Sequence, residues 1–306
     1  MKVIYGNSKF HLKKSVVALG IFDGLHRGHQ FLLKKMLKQA KASRVPSVVV
    51  TFFPHPVHVL RPDLQLGYLI SLAHRFSLLQ ELGVDYCYVV RFNKSFARIE
   101  PVSFVEDFLI KRLHVADIYV GADFRFGRDR MGDINLFKKM SKTGDYQVHE
   151  VKPLKEGAEP ISSTRLRALV TAGDLKAAAK LLGRPFSVLG EVIKGQGRGK
   201  QLGYPTANVA YANDIMPPNG VYVVRVVFNN KIYKGAANLG TRPTFKNKAL
   251  FPILEVYILD FKGDLYGKII DVEFVRKIRD EQRFSNIDDL IFQIKKDITA
   301  VSKIFK

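Results

Sequence analysis

From Ser15 to about Leu182, short runs rich in Val, Ile and Tyr take turns with segments of helical period, and this alternation constrains the fold most tightly. SVVALG precedes a predicted helix over residues 28–42, and SVVVTFF precedes SLAHRFSLLQELG. YCYVVRF is followed by PVSFVEDFLIKRLH, and ADIYVG by a loop and INLFKKMSKTG. YQVHEV then leads into two short helical patterns, SSTRLRALVTAGD and LKAAAKLLG. Strands interleaved with helices pack as a parallel sheet covered on both faces, a doubly wound α/β domain. Ligands of such sheets bind beyond the carboxyl ends of the strands, so the chemistry belongs in the loops that follow them.

After Gly183 the pattern changes. FSVLGEVI, GVYVVRVVF, KIYKGAAN, LEVYILDF and KIIDVEFV follow one another with turns such as FNNK and FKGD between them, and one helix closes the chain, roughly Ile287 to Ile304. Consecutive strands without intervening helices predict a small antiparallel β-barrel with a terminal helix. The boundary is placed near Arg184, giving domains 1–184 and 185–306.

A chain of 306 residues with 47% hydrophobic side chains has enough apolar material for two such cores. Its one cysteine, Cys87, sits in the apolar run YCYVV and reads as a buried strand residue, so no disulfide framework forms within the monomer. That suits a reducing compartment. No run resembles a signal peptide or a membrane span, and a cytoplasmic protein is expected. The net charge of +21 raises the prospect of a nucleic-acid partner. The excess is spread along the chain, however, with no basic tail. Lys34, Lys38 and Lys41 fall opposite Leu33, Met36, Leu37 and Ala40, as on a solvated helix face. A protein that handles small polyanions would carry the same surplus.

The stretch GIFDGLHRGH places His26 and His29 around Gly28, where a strand and a tight turn give way to a helix. A helix N-terminus presents unpaired N–H groups and a positive dipole end, suited to phosphate. Imidazoles there donate to phosphate oxygens and stabilise charge that develops at phosphorus, and Gly28 permits close approach of a ligand. Simple helix capping is the competing explanation, and a metal site that also draws on His55 and His58 of FFPHPVH is a weaker one. Downstream, ISSTRLR offers Ser163 and Thr164, which suit a helix cap, with Arg165 and Arg167 as a phosphate clamp. GADFRFGRDRMGD adds Asp123, Arg125 and Arg128 in a glycine-bounded loop after a strand.

In the second half, KGQGRGKQLG is glycine-rich but fits neither the dinucleotide fingerprint nor the Walker pattern, and a flexible turn explains it equally well. YPTAN offers a hydroxyl at Thr206 and an amide oxygen at Asn208, both hard ligands for Mg²⁺ on ATP phosphates. Two positions apart on a strand, they share a face. Glu255, between Leu254 and Val256 in an apolar strand, is either outward-facing or kept for chemistry.

Taken together, GIFDGLHRGH resembles the H-x-G-H signature of nucleotidyltransferases, and ISSTRLR its downstream Ser/Thr-Arg partner. With TFFPHP, GADFRFG, GQGRGKQLGYPTANV, PPNGVY, AANLGTRPTF and LEVYILDF, the chain resembles the prokaryotic bifunctional riboflavin kinase/FAD synthetase family over nearly its whole length. The resemblance implies a Rossmann-like nucleotidyltransferase domain that joins FMN to AMP from ATP, and a barrel that phosphorylates riboflavin. It implies His26 and His29 as charge-stabilising catalytic residues and Gly28, Ser163, Thr164 and Arg167 as phosphate holders. Phe22, Phe52, His55 and Asp123 would line the flavin or nucleotide site. In the barrel, Gly195, Gly197, Gly199 and Lys200 would form a nucleotide loop, Thr206 and Asn208 would hold Mg²⁺ with ATP, and Glu255 would be the base. The implied partners are ATP, riboflavin, FMN and FAD, with no membrane and no specific nucleic acid. Tryptophan is absent, so any stacking on the flavin ring falls to Phe or Tyr. Class I aminoacyl-tRNA synthetases share the H-x-G-H and Ser/Thr-Arg pair, but the chain's length, its barrel and YPTAN oppose that reading.

Overall fold

Buried on both faces, the Val-rich runs pair as a parallel sheet, the pattern such sheets require. The computed structural model describes residues 1–6, 10–195, 197–243 and 250–305. Its first sheet has strands β1 (Lys2–Tyr5), β2 (Ser15–Leu19), β3 (Ser47–Phe53), β4 (Tyr86–Arg91), β5 (Val115–Gly121) and β6 (Gln147–Val151). Their order is β1-β4-β3-β2-β5-β6, and every neighbouring pair is parallel. Val16, Val17, Ala18, Val48, Val49 and Val50 are fully buried. The edge strand β1 was not anticipated. Four residues with only Ile4 buried give no period to read.

From β2 the chain adds β3 and β4 on one side, then crosses to place β5 and β6 on the other. The strand order therefore reverses between β2 and β5, where a crevice opens at the carboxyl ends of doubly wound sheets. The helix predicted after β2 spans Arg27–Ser43 and buries Leu32, Leu33, Met36 and Ala40. Lys34, Lys38 and Lys41 lie exposed on its other face, as the spacing predicts. The helical stretch predicted from Pro101 is present, but its middle, Phe104–Ile110, is a π-helix, flanked by α-helical Pro101–Ser103 and Lys111–Leu113. Sequence period cannot foresee that widening, in which Phe104 stacks on Phe108 at 5.4 Å.

A two-stranded hairpin, β7 (Lys155–Glu156) with β8 (Glu159–Pro160), precedes the closed barrel. The barrel strands are β9 (Phe186–Ile193), β10 (Thr206–Tyr211), β11 (Gly220–Phe228), β12 (Lys231–Pro243), β13 (Leu250–Ile258) and β14 (Ile269–Arg279). They close in the order β10-β13-β12-β11-β14-β9, with every neighbouring pair antiparallel. Along β13 the period is two: Leu254, Val256 and Ile258 are buried while Glu255 and Tyr257 are half-buried. The terminal helix, Ile287–Ile304, packs against β12.

Compactness divides the chain into residues 1–67 with 75–162, and residues 68–74 with 163–306. The helices Ser163–Thr171 and Leu175–Leu182 thus group with the barrel, the second of them lying on β9 and β14. The short insert 68–74 joins the same unit through its backbone. Asp214 and Ile215 donate N–H groups to the Tyr68 carbonyl at 3.1 Å each, and Asn213 Nδ2 donates to the Leu69 carbonyl at 2.7 Å.

Candidate active sites

In the first unit, the loop between β2 and the helix Arg27–Ser43 takes a conformation few side chains adopt. Phe22, Gly24 and Leu25 have φ of 55°, 77° and 42°, so the chain doubles back tightly before the helix starts. His26 is the N-cap, and its Nδ1 accepts the N–H of His29 at 3.2 Å. Capping and chemistry are compatible here. With Nδ1 used as an acceptor, the neutral ring carries its proton on Nε2, leaving that nitrogen as the donor. The two imidazoles stack at 3.6 Å, 16° from parallel, and the Phe22 ring meets His29 edge-on at 5.3 Å. A Cβ at Gly28 would stand 3.1 Å from the His26 ring and press on the stack by a few tenths of an ångström, so glycine lets the pair sit undisturbed. Burial first, then the charges of His26 and Arg75, hold the His29 imidazole well below its usual pKa, so it is neutral at physiological pH.

The other residues of this half are distributed more widely. Asp123 is exposed in the turn after β5, on the far side of the strand-order reversal, and Gly121 lies where a Cβ would come within 3.0 Å of its carboxylate. Arg125 and Arg128 are engaged within the chain, with Asp133 at 2.8 Å and Glu100 at 2.7 Å, so they brace the loop they sit in. Phe52 is 7% exposed and packs on Phe92 and Phe96 in the apolar core. His55 caps the helix Pro56–Leu60, its Nδ1 accepting from Val57 at 3.1 Å, and His58 Nε2 lies 2.6 Å from the Leu66 carbonyl. Among the described residues, no three His, Cys, Asp or Glu side chains converge as a metal site. Ser163, Thr164 and Arg167 stand in the first turn and a half of the helix Ser163–Thr171, in the second unit.

In the barrel, a cavity of about 310 Å³ opens between strands β10, β12 and β13 and the terminal helix. Register decides what faces it. Glu255 on β13 pairs with Asn208 on β10 and with Asn238 on β12, so the three side chains form one row across the sheet. All three line the cavity, with Thr206 beside them. Leu290, Ile294 and Ile298 of the terminal helix add an apolar patch to the lining, beside Arg279, Glu281, Gln282 and Asp297. Gly197 and Gly199 reach the cavity, and Gly195 packs on the Asn208 amide so closely that a Cβ would overlap it. Lys200 falls in the short helix Arg198–Gln201, but its side chain lies outside the described residues.

Sequence reasoning missed two features of this cavity. Asn238 falls within AANLGTRPTF, where it carried no assigned role, and its pairing with Glu255 brings it to the cavity. Arg279 and Asp297 form a buried ion pair in the wall, with Nη2 2.8 Å and Nε 3.1 and 3.2 Å from the carboxylate. Gln293 adds a hydrogen bond to Asp297 at 2.8 Å, and the pair ties the terminal helix to the end of β14. Their separation in sequence hides the contact.

Comparison with known proteins gives two family matches, FAD synthetase over residues 8–165 and riboflavin kinase over residues 182–305. The chain is 38% identical over 308 residues to a bifunctional riboflavin kinase/FMN adenylyltransferase of Buchnera aphidicola from Acyrthosiphon pisum, covering 100% of this chain and 98% of the relative. The protein of the same description from Escherichia coli K12 is 38% identical, with 95% and 92% covered, and that from Bacillus subtilis 37% identical, with 100% and 98% covered. A solved structure from Streptococcus pneumoniae, described as a macrolide-efflux protein, superposes with a TM-score of 0.84 at 33% identity, covering 99% of each chain. No helix among the described residues is long and apolar enough to cross a membrane.

Proposed function

We propose that this chain, which belongs to the bifunctional riboflavin kinase/FMN adenylyltransferase family, makes FMN and then FAD in two ATP-dependent steps. Residues 185–306 carry the kinase chemistry and residues 1–184 the adenylyl transfer. The observation that carries the reading is the row Asn208–Glu255–Asn238 in a cavity that also holds an apolar patch from Leu290, Ile294 and Ile298. An apolar patch suits the flavin ring system, and the polar row suits the ribityl chain.

In the barrel, Glu255 accepts the proton of the ribityl 5′-hydroxyl as that oxygen attacks the γ-phosphorus of ATP, and ADP leaves. Asn238, next to Glu255 across the strands, orients the hydroxyl or the carboxylate. Thr206 and Asn208 supply hard oxygens, and among the described residues no three His, Cys, Asp or Glu side chains converge to hold an ion, a donor set that fits Mg²⁺ arriving on ATP phosphates better than a resident ion. The bound Mg²⁺ neutralises charge on the phosphates. Gly195, Gly197 and Gly199, with Lys200, form the loop over the nucleotide.

In the first unit, a phosphate oxygen of FMN attacks the α-phosphorus of a second ATP, and pyrophosphate departs. His26 and His29 donate hydrogen bonds to the transferring group, and the depressed pKa keeps His29 a neutral donor. Gly28 leaves room at the helix N-terminus. The Ser/Thr-Arg motif that carries Ser163, Thr164 and Arg167 supports them as holders of the departing phosphates. His55 and Asp123 line the flavin or nucleotide, while Phe22 and Phe52, both buried, belong to the core beneath rather than to the lining. The basic surplus suits these polyphosphates in the cytoplasm, with no membrane or specific nucleic-acid partner in the scheme.

Product analysis by chromatography after incubation with riboflavin, ATP and Mg²⁺ tests both steps. Wild type is expected to yield FMN and then FAD. Glu255→Ala should make FAD only when given FMN, and His29→Ala should stop at FMN. Riboflavin left untouched by wild type, with added FMN not adenylylated, refutes the reading.

A further inference from the structure

Arg75 is fully buried, one of the largest side chains in the molecule with no solvent contact. It lies on the helix Leu72–Glu81. Burying a guanidinium costs several kcal/mol before its partners offset it, so a cation retained there points to a task. Its surroundings name the task. Arg75 Nη1 donates to Thr51 Oγ1 at 3.1 Å, and Thr51 Oγ1 donates to the Ile21 carbonyl at 2.9 Å. Ile21 begins the strained turn that delivers Phe22, Leu25 and His26. The adjacent Gly20 N–H is tied to the Val50 carbonyl at 3.1 Å, so the root of the turn is anchored to β3 at two successive residues. The charged groups acting on His29 are His26, on its own loop, and Arg75, from the neighbouring helix; the Phe22 edge is neutral. Arg75 also acts on Cys87 of β4, but burial dominates there and pushes the thiol up to about 12, so no thiolate competes for the guanidinium.

We propose that Arg75 is a positioning residue of adenylyl transfer, fixing the Ile21–His26 turn through Thr51 and keeping a permanent positive charge within electrostatic reach of the His26–His29 pair. The inference rests on the reading of the first unit as the FMN adenylyltransferase. The turn is short and held at both ends, by β3 at its root and by Gln30 Nε2 donating to the Leu25 carbonyl at 2.9 Å, so a loosened root shifts His26 against the helix. Misplacement by about 1 Å costs on the order of 100-fold in rate. The fixed charge adds to the helix N-terminal dipole, favouring anionic phosphate and disfavouring a protonated His29.

The test compares Arg75→Met, Arg75→Lys and Thr51→Val in the full chain. It follows FAD formation from FMN and ATP across pH, with FMN formation from riboflavin in the same preparations as the control. Arg75→Met should lose about 100-fold in kcat/KM for FAD formation while its kinase rate is retained. The acid limb of its pH profile should move to higher pH, because His29 holds its proton longer once the neighbouring charge is gone. Arg75→Lys should recover most of the rate and return the limb to its wild-type place. Thr51→Val should lower kcat about 10-fold without moving the limb. A space-filling role alone would lower the rate without shifting the limb. Wild-type rate and limb in Arg75→Met overturn the proposal, as does an equal loss in the Lys and Met variants with neither limb moved. Should Arg75→Met fail to fold, a displaced limb in Arg75→Lys or an unchanged kcat in Thr51→Val overturns it. Failure of the underlying reading looks different: wild type then phosphorylates riboflavin but forms no FAD.

Discussion

Substituting Gly195 by alanine isolates one function of the barrel from its stability. The residue follows β9 and packs on the side chain of Asn208. An added Cβ would stand 2.1 Å from Nδ2 and 2.5 Å from Cγ of that amide, where ordinary contact begins near 3.4 Å. Relief therefore requires a retreat of more than an ångström. The obstacle is the end of a short side chain, so the cheap response is for Asn208 to rotate away. A donor displaced by about 1 Å costs on the order of 100-fold in rate, about 2.7 kcal/mol at the barrier. The folded state loses far less, since the backbone at Gly195 is unstrained and the site is exposed. The assay measures riboflavin phosphorylation, FAD formation from supplied FMN, and thermal unfolding on one preparation. Gly195→Ala should lose the first about 100-fold, keep the second and unfold within about 2 °C of wild type. Gly197→Ala is the contrast: its Cβ meets nothing within 4 Å, but φ of +70° costs about 1 kcal/mol locally, so a smaller loss is expected. Riboflavin phosphorylation in Gly195→Ala within about threefold of wild type would refute the placing of Asn208 in the nucleotide site.

Removing one partner of the buried pair in Asp297→Ala should destabilise the second unit by about 3 kcal/mol, and Arg279→Met/Asp297→Leu should recover most of it; calorimetry of the three chains decides. Glu255→Gln should lower the kinase kcat by about 10²- to 10⁴-fold at unchanged melting temperature, and a loss under tenfold removes Glu255 as the base. His74 provides a pH prediction. Burial, with Arg184 nearby, lowers its pKa from the usual 6.5 to about 3. Between those values the unfolded chain binds the proton and the folded chain does not, so stability falls as pH drops from 6.5 toward 3. Denaturant titrations across that window should show the slope in wild type and a flatter one in His74→Gln; superimposable curves contradict the assignment.

Much of the molecule was legible before any coordinates. Alternation of Val-rich runs with helical segments marks the doubly wound sheet, and the loss of that alternation after Gly183 marks the barrel, because burial on two faces or one writes itself into the period. His26, Gly28, Thr206, Asn208 and Glu255 stood out as candidates in the sequence, and the fold sets Thr206, Asn208 and Glu255 around one cavity. Less visible was that helices Ser163–Thr171 and Leu175–Leu182 pack with the barrel, because an amphipathic helix declares an apolar face without naming what covers it. Arg125 and Arg128 looked available for a ligand until Asp133 and Glu100 were found beside them.

The sequence by itself determined the two fold classes, the turn into a helix at His26 and the order of the motifs, all set by local period and turn chemistry. Tertiary structure alone decided that Asn238 shares a row with Glu255, that Asp297 closes on Arg279, and that Arg75 reaches the root of the Ile21–His26 turn through Thr51. These contacts join residues 17 to 30 positions apart, where strand register and helix docking set the distance and no local pattern records the partner.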